Sequence, residues 1–221
     1  MITLIAGLLP AIVLVCYIYR TDYLKPEPVK QVVRAALLGV CSCFVSFFFS
    51  IPFGEIGLYS EEYSGPIGAF CHALFGAALP EELAKLIILW LVVRKNPHFD
   101  EKMDGIVYAV CVGMGFAGLE NVLYLDSSSS FIFTFISRAL LSIPGHFCFA
   151  VFMGYNFSKF WFEKEGRMRH LLLALLSPVA AHTAYDFILM YQSVNESVLM
   201  FFVLMAAFIY SCRTTYRWAR R

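Results

Sequence analysis

Two carboxylates and an amine stand together at Glu81-Glu82-Leu83-Ala84-Lys85, in the middle of an apolar run from about Ile67 to Val93. A charge at the centre of a membrane helix costs about 2.5–3.5 kcal/mol on insertion scales, so ionisable groups in such runs are functional candidates by default. A helix turns about 100° per residue. Glu81 and Lys85 then sit about 40° apart, one turn along, with Glu82 within about 100° of Glu81, and all three line one wide face. A second pair at helical spacing, His182 and Asp186, shares a face in a later apolar run. Such a pair binds a metal, or the carboxylate holds the imidazole in one tautomer. Glu120, Asn121, Arg138 and His146 complete the polar set within apolar stretches. His146 follows Pro144-Gly145, a break that opens local backbone hydrogen bonds.

Taken singly, each residue has a bland explanation. A Glu–Lys pair one turn apart neutralises itself, and a lone histidine in a helix is more often hydrogen-bonded structure than catalyst. The set is different. Carboxylates and imidazoles on four separate apolar runs are a poor choice for stability alone. They are the parts of a hydrolase: a carboxylate base beside a water, imidazoles for proton transfer or metal binding, and amide or cationic donors for an oxyanion. The residues assigned to that chemistry are Glu81, Glu82, Lys85, Glu120, Asn121, His146, His182 and Asp186.

The elements that must position them are membrane helices. The chain has 221 residues and is 60% hydrophobic, well above the roughly 45–50% of a soluble domain. The composition predicts an all-α, polytopic helical bundle, a single membrane-embedded domain over 1–221. Seven spans are drawn at about 2–19, 32–53, 67–93, 104–125, 132–158, 169–191 and 197–213, near the 20 residues that cross a bilayer. Fifteen of the seventeen Lys and Arg lie after spans one, three, five and seven. The other three loops carry Glu55, Glu61, Glu62, Asp126 and Glu196 instead. Positive loops stay in the cytoplasm, which places the N-terminus outside and the C-terminus inside. The polar constellation then falls in the middle-to-outer half of the membrane.

The first apolar run has no Lys or Arg before it and no small-residue cleavage pattern after it, so it reads as a retained helix, not a signal peptide. A net charge of +1, with no Gly-rich phosphate loop and no basic aromatic patch, gives no footing for nucleic acid. Cys16, Cys41, Cys43, Cys71, Cys111, Cys148 and Cys212 form no CxxC and read as small apolar residues rather than a disulfide or thiolate framework. Gly113, Gly115 and Gly118 read as close-packing positions between helices. Asp104-Gly105 reads as a helix N-cap, and solvated charge plus capping outweighs a metal role for Asp100, Glu101 and Asp104.

The motifs in order are Glu81-Glu82-x-x-Lys85, Phe99-Asp100-Glu101-x-x-Asp104-Gly105-Ile106-Val107-Tyr108, Gly115-Phe116-Ala117-x-Leu119-Glu120-Asn121, His146, and His182-x-x-x-Asp186-Phe187. This series resembles the PrsW family of bacterial membrane proteases over nearly the whole chain. The wider superfamily includes the CAAX prenyl-protein proteases, with EExxxR, FxxxH and HxxxN or HxxxD motifs. Here the first motif ends at Lys85, one residue closer, and Glu120 stands in place of the second motif's histidine, which favours PrsW over CAAX processing. The resemblance implies a site-1 protease in the bacterial cell membrane. Its partner would be a single-span anti-sigma factor, cut on its extracytoplasmic part to start regulated intramembrane proteolysis and sigma factor activation under envelope stress.

Two mechanisms stand side by side. In the first, Glu82, His146 and His182 are candidate zinc ligands, with Glu120 or Asp186 in support and Glu81 as general base. The adjacent carboxylates do not reproduce HExxH. In the second, no metal is used: Glu81 takes a proton from water, His146 assists, and His182 with Asn121 or Lys85 steadies the oxyanion. A different class, a non-catalytic scaffold or a transporter with a polar intramembrane cavity, is the alternative; inverted repeats that would support transport are not visible.

Overall fold

The computed structural model describes residues 1–62, 64–191 and positions 202, 203, 206, 207, 209–211, 213, 214 and 217. The described residues are helical apart from their connections. α1 runs over Ile2–Thr21 and α2 over Val29–Glu55. Next comes a helical rod in three parts: α3 (Gly65–Cys71), a π-helical turn (His72–Ala78) and α4 (Leu79–Val93). α5 spans Lys102–Ser127. A second rod is built the same way from α6 (Phe131–Ser137), a π-helical turn (Arg138–Ser142) and α7 (Ile143–Phe162). α8 covers Arg167–Met190.

Five helical stretches are long and apolar enough to cross a membrane: Ile2–Thr21, Val29–Glu55, Lys102–Ser127, Phe131–Phe162 and Arg167–Met190. The helical rod from α3 to α4 carries Glu81, Glu82 and Lys85 in α4. The expected seventh span at 197–213 lies largely outside the described residues. The outer surface fits a lipid solvent. Leu4, Ile5, Leu9, Ile12 and Val13 of α1, and Leu37, Phe44, Phe47, Phe48 and Ile51 of α2, are exposed, forming an apolar face that a monomeric soluble protein rarely shows.

Both rods have a proline as the second residue after the π turn, Pro80 in α4 and Pro144 in α7. Proline lacks an N–H, and its ring crowds the carbonyl four residues back. The wider π turn sits where that ladder must open, and such turns recur at functional sites. Each places a polar residue directly after the break: Glu81 beside Pro80, His146 two residues after Pro144.

α5 is the central helix and packs against α1, α2, α4 and α7. Small residues allow that closeness. A Cβ on Gly115 would lie 2.0 Å from the Ala36 carbonyl oxygen of α2, and one on Gly113 would lie 2.8 Å from Ala150 Cβ of α7. On α7, a Cβ on Gly154 would meet the Gly105 carbonyl at 2.5 Å. The packing role expected for the α5 glycines is thus seen, and it joins backbones where lipid offers no hydrophobic drive. Cys43, Cys111 and Cys148 are buried, Cys16 and Cys41 are exposed on the apolar surface, and none of the described cysteines is in a disulfide.

Asp104 departs from the sequence expectation. The N-cap of α5 is Glu101, and Asp104 is the third helical residue, whose Oδ2 accepts the backbone N–H groups of Asp100 and Glu101, both at 2.8 Å. It is a capping box, but its carboxylate is fully buried rather than solvated. The α1–α2 connection folds over it, which no local sequence pattern announces.

Candidate active site

α4, α5, α7 and α8 bring the predicted polar residues into one cluster. Lys85 is its hub. The ammonium donates to Glu82 Oε1 at 2.8 Å and to Glu81 Oε2 at 3.3 Å, and lies 3.4 Å from His146 Nδ1. It also sits over the Phe116 ring, 3.9 Å from the centroid, where the ring's negative face favours a cation. The one-turn spacing read from the sequence therefore does put Lys85 against both carboxylates.

His146 is held from two sides. Its Nε2 lies 3.0 Å from Glu120 Oε2, and its Nδ1 faces Lys85. Lys85 can only donate, so Nδ1 accepts and Nε2 carries the proton toward Glu120. Glu120 is fixed in turn by Arg138, whose Nη2 donates to Oε2 at 2.8 Å. Arg138 Nε donates to Asn121 Oδ1 at 2.8 Å, and Asn121 Nδ2 donates to the Gly7 carbonyl of α1 at 3.0 Å. Asn121 is fully buried. Its amide is committed to α1 and to Arg138, so it joins the cluster only through that guanidinium.

His182 packs flat on Phe149, with centroids 4.8 Å apart, and edge-on to His146 at 5.2 Å. Its Nδ1 lies 3.0 Å from Glu82 Oε1 and its Nε2 lies 3.2 Å from Asp186 Oδ2. The pair expected from the i, i+4 spacing is formed. Both ring nitrogens thus face carboxylate oxygens, and a neutral imidazole donates to only one of them. Glu81 Oε2 lies 4.0 Å from His182 Nε2.

The cluster forms one wall of a cavity of about 840 Å³, lined in part by Glu81, Glu120, Arg138, His146, His182 and Asp186. Tyr59 and Glu61 also line it. They belong to the α2–α3 connection, so the cavity reaches the end of the bundle opposite the Lys/Arg-bearing connections. Glu82 and Lys85 stand behind this wall, buried.

Could these residues hold a metal ion? One ligand atom each from Glu81, Glu82, His146 and His182 fall within 4.8 Å of one another. The donors are imidazoles and carboxylates, the set used by catalytic zinc. Glu82 Oε2 is buried without a hydrogen-bond partner, an arrangement that costs free energy until the lone pair is met. Four carboxylates, Glu81, Glu82, Glu120 and Asp186, face two fixed cations among the described residues, Lys85 and Arg138, so positive charge is short there. The residues fit a divalent ion. Lys85 is the one competitor, since its ammonium already occupies the Nδ1 face of His146.

Arg138, Phe149 and Phe116 were not assigned to the chemistry from the sequence. Arg138 was visible as a basic residue within an apolar run. The two phenylalanines carry no such signal among the 22 in the chain.

Residues 27–211 match the PrsW family of intramembrane metalloproteases. The chain is 38% identical over 188 residues to Protease PrsW of Bacillus subtilis (strain 168), covering 83% of this chain and 81% of that protein. It is 36% identical over 185 residues to Protease PrsW of Geobacillus kaustophilus (strain HTA426), covering 84% and 78%. Protease PrsW of Clostridioides difficile (strain 630) is 34% identical over 190 residues, covering 84% and 78%. No solved structure matches the chain.

Proposed function

The chain belongs to the PrsW family of intramembrane metalloproteases and is a multi-pass membrane peptidase, and on that premise we propose that it is a site-1 protease. Its substrate is a single-span anti-sigma factor in the bacterial cytoplasmic membrane. Cleavage on the extracytoplasmic side starts regulated intramembrane proteolysis and sigma factor activation. One observation carries the reading: Glu81, Glu82, His146 and His182 converge within 4.8 Å beside a cavity that reaches the end of the bundle lacking Lys and Arg. Under the positive-inside rule that end is the outer one.

Glu82, His146 and His182 would hold the ion, zinc by its donor set. A bound metal ion supplies a water acidic enough to lose a proton at neutral pH. The remaining steps belong to side chains. Glu81 faces the cavity and takes the proton of the attacking water. Asp186 and Glu120 orient the two imidazoles, as outer carboxylates do for ligating histidines. Arg138 keeps Glu120 in place. Lys85 compensates Glu82 and Glu81 while the substrate carbonyl is in position. Phe149, stacked on His182, excludes water from behind that imidazole, and Phe116 covers the Lys85 ammonium from the cavity wall, which strengthens each charged contact.

A second reading rests on Lys85. Its ammonium already supplies a cation to Glu81, Glu82 and His146, which suits a metal-free glutamate protease with Glu81 as base. Purified protein in detergent decides. Under the metal reading, cleavage of an anti-sigma factor is lost on Glu81→Ala, stopped by a chelator and restored by zinc, with metal present in the same preparation. Cleavage indifferent to the chelator moves the reaction to the metal-free reading. Undiminished cleavage by Glu81→Ala, Glu82→Ala and His182→Ala overturns the site. No cleavage by the unaltered protein returns the chain to a scaffold or transport role.

A further inference from the structure

A second acidic cluster sits at the Lys/Arg-rich end of the bundle, sixteen residues along α5 from Glu120, or about 24 Å at 1.5 Å per residue. Asp22 ends α1, Glu27 lies in the α1–α2 connection, and Glu101 and Asp104 begin α5. Asp22 is 2% exposed, Glu27 4% and Asp104 0%. Burying carboxylates costs several kcal/mol each unless a countercharge meets them.

The neighbouring cations are paired with other carboxylates, although the Lys25 charge still reaches Asp22 through space. Lys25 Nζ is 2.5 Å from Asp100, and Lys102 Nζ is 2.6 Å from Glu163. Glu27 accepts the Tyr108 hydroxyl proton, and Tyr108 accepts from Asn96 Nδ2 at 2.7 Å. These are neutral donors. Asp104 spends Oδ2 on two backbone N–H groups and its side chain also meets the Glu27 carboxyl, while its Oδ1 accepts from no N–H or O–H. Asp22 Oδ2 is buried and also has no partner. Carboxylate oxygens of Asp22, Glu101 and Asp104 lie within 4.8 Å of one another. Two oxygens bound to one Ca²⁺ at 2.3–2.6 Å are at most about 5 Å apart.

We propose that Asp22, Glu101 and Asp104 bind one hard divalent cation, Mg²⁺ or Ca²⁺, which clamps the α1–α2 connection onto the start of α5. The ligands are oxygens alone, with neither imidazole nor thiol, which selects a hard ion over zinc. The capping box holds two of the three carboxylates in place before the ion arrives, so little ordering is needed on binding. The site is separate from the catalytic cluster and does not rest on the protease reading.

The test uses the full chain in detergent, stripped with EDTA, with Glu82→Gln introduced to weaken cation binding at the other cluster. MgCl₂ or CaCl₂ is titrated while the apparent Tm is followed, with KCl matched for ionic strength. The expected result is a saturable rise of about 5–11 °C at a hundredfold excess over the dissociation constant, with the ion of lower midpoint as the preferred occupant. Asp22→Asn removes a charge without touching the cap. It should raise the ion-free Tm and abolish the rise; Glu101→Gln should at least weaken it. A rise equalled by KCl, a rise unchanged in Asp22→Asn, or no rise with either ion at 10 mM overturns the proposal.

Discussion

Lys85 is the residue on which the cluster's charge balance turns. Lys85→Met keeps the length of the stem and its packing against Phe116 but removes the ammonium. Glu82 then loses its 2.8 Å ion pair and Glu81 its 3.3 Å one. Glu82 is fully buried, so water cannot replace the lost partner. Breaking one side of a buried pair costs about 3–5 kcal/mol. At about 2–4 °C per kcal/mol for a chain of this size, the apparent Tm in detergent should fall by roughly 6–20 °C. The measurement is made with a chelator present, so that no cation takes the ammonium's place. Adding Glu82→Gln to Lys85→Met removes the stranded charge and should recover more than half of the loss, a coupling that a double-mutant cycle reads directly. If Lys85→Met melts within 2 °C of the unaltered protein, or if the second substitution lowers the Tm further, the ammonium is not the countercharge described above.

Three other substitutions probe the remaining contacts. Glu81→Gln should cut the cleavage rate by about 10²–10⁴-fold, the usual contribution of a positioned base, while the protein stays in the membrane fraction at its normal level; a loss below tenfold in a quantitative cleavage assay refutes the base role. Arg138→Met frees Glu120 and through it His146, so cleavage should fall about 10–100-fold, with the affinity for zinc, read by competition with a chromophoric chelator, falling with it. An unchanged affinity would place Arg138 in packing alone. Gly115→Ala drives a methyl to 2.0 Å from the Ala36 carbonyl and should cost about 1–3 kcal/mol as overpacking, seen as a lower apparent Tm, whereas an unchanged Tm would mean that α2 yields freely.

Much of the site was legible because lipid makes charge conspicuous. Glu81, Glu82, Lys85, His182 and Asp186 stand out from apolar runs, and helical spacing alone predicts the Lys85–Glu81 and His182–Asp186 contacts. Pairings between helices were not legible. That His182 Nδ1 meets Glu82, or that Glu120 meets both His146 and Arg138, depends on the approach of α4, α5, α7 and α8. Between α5 and α7 that approach is set by glycines, Gly113 and Gly154, whose partners lie on the other helix. Asn121 illustrates the limit: it stands beside Glu120 in sequence, yet a helix turn of about 100° sends its amide to Gly7 and Arg138 rather than to the cavity. By sequence Asp104 closes a charged loop at the start of an apolar run, which reads as a cap and solvated charge. The structure buries it under the α1–α2 connection, far earlier in the chain, and Asp22, which meets it there, has no motif to mark it.

The two π turns have a consequence for how this sequence can change. A π turn holds one more residue than the α turn it replaces. Because the extra residue is absorbed within one revolution, deleting a single residue within 72–78 would restore the ordinary winding and leave everything after it at about the same angle to α3. A deletion within 65–71 that leaves the wide turn in place would instead turn Glu81, Glu82 and Lys85 by about 100° relative to the helix before the gap, off the wall they share with His146 and His182. The same holds for His146 and the turn at Arg138–Ser142. The wide turns are therefore the places where each rod can lose one residue and keep its aim, at the cost of closing the backbone beside Pro80 and Pro144.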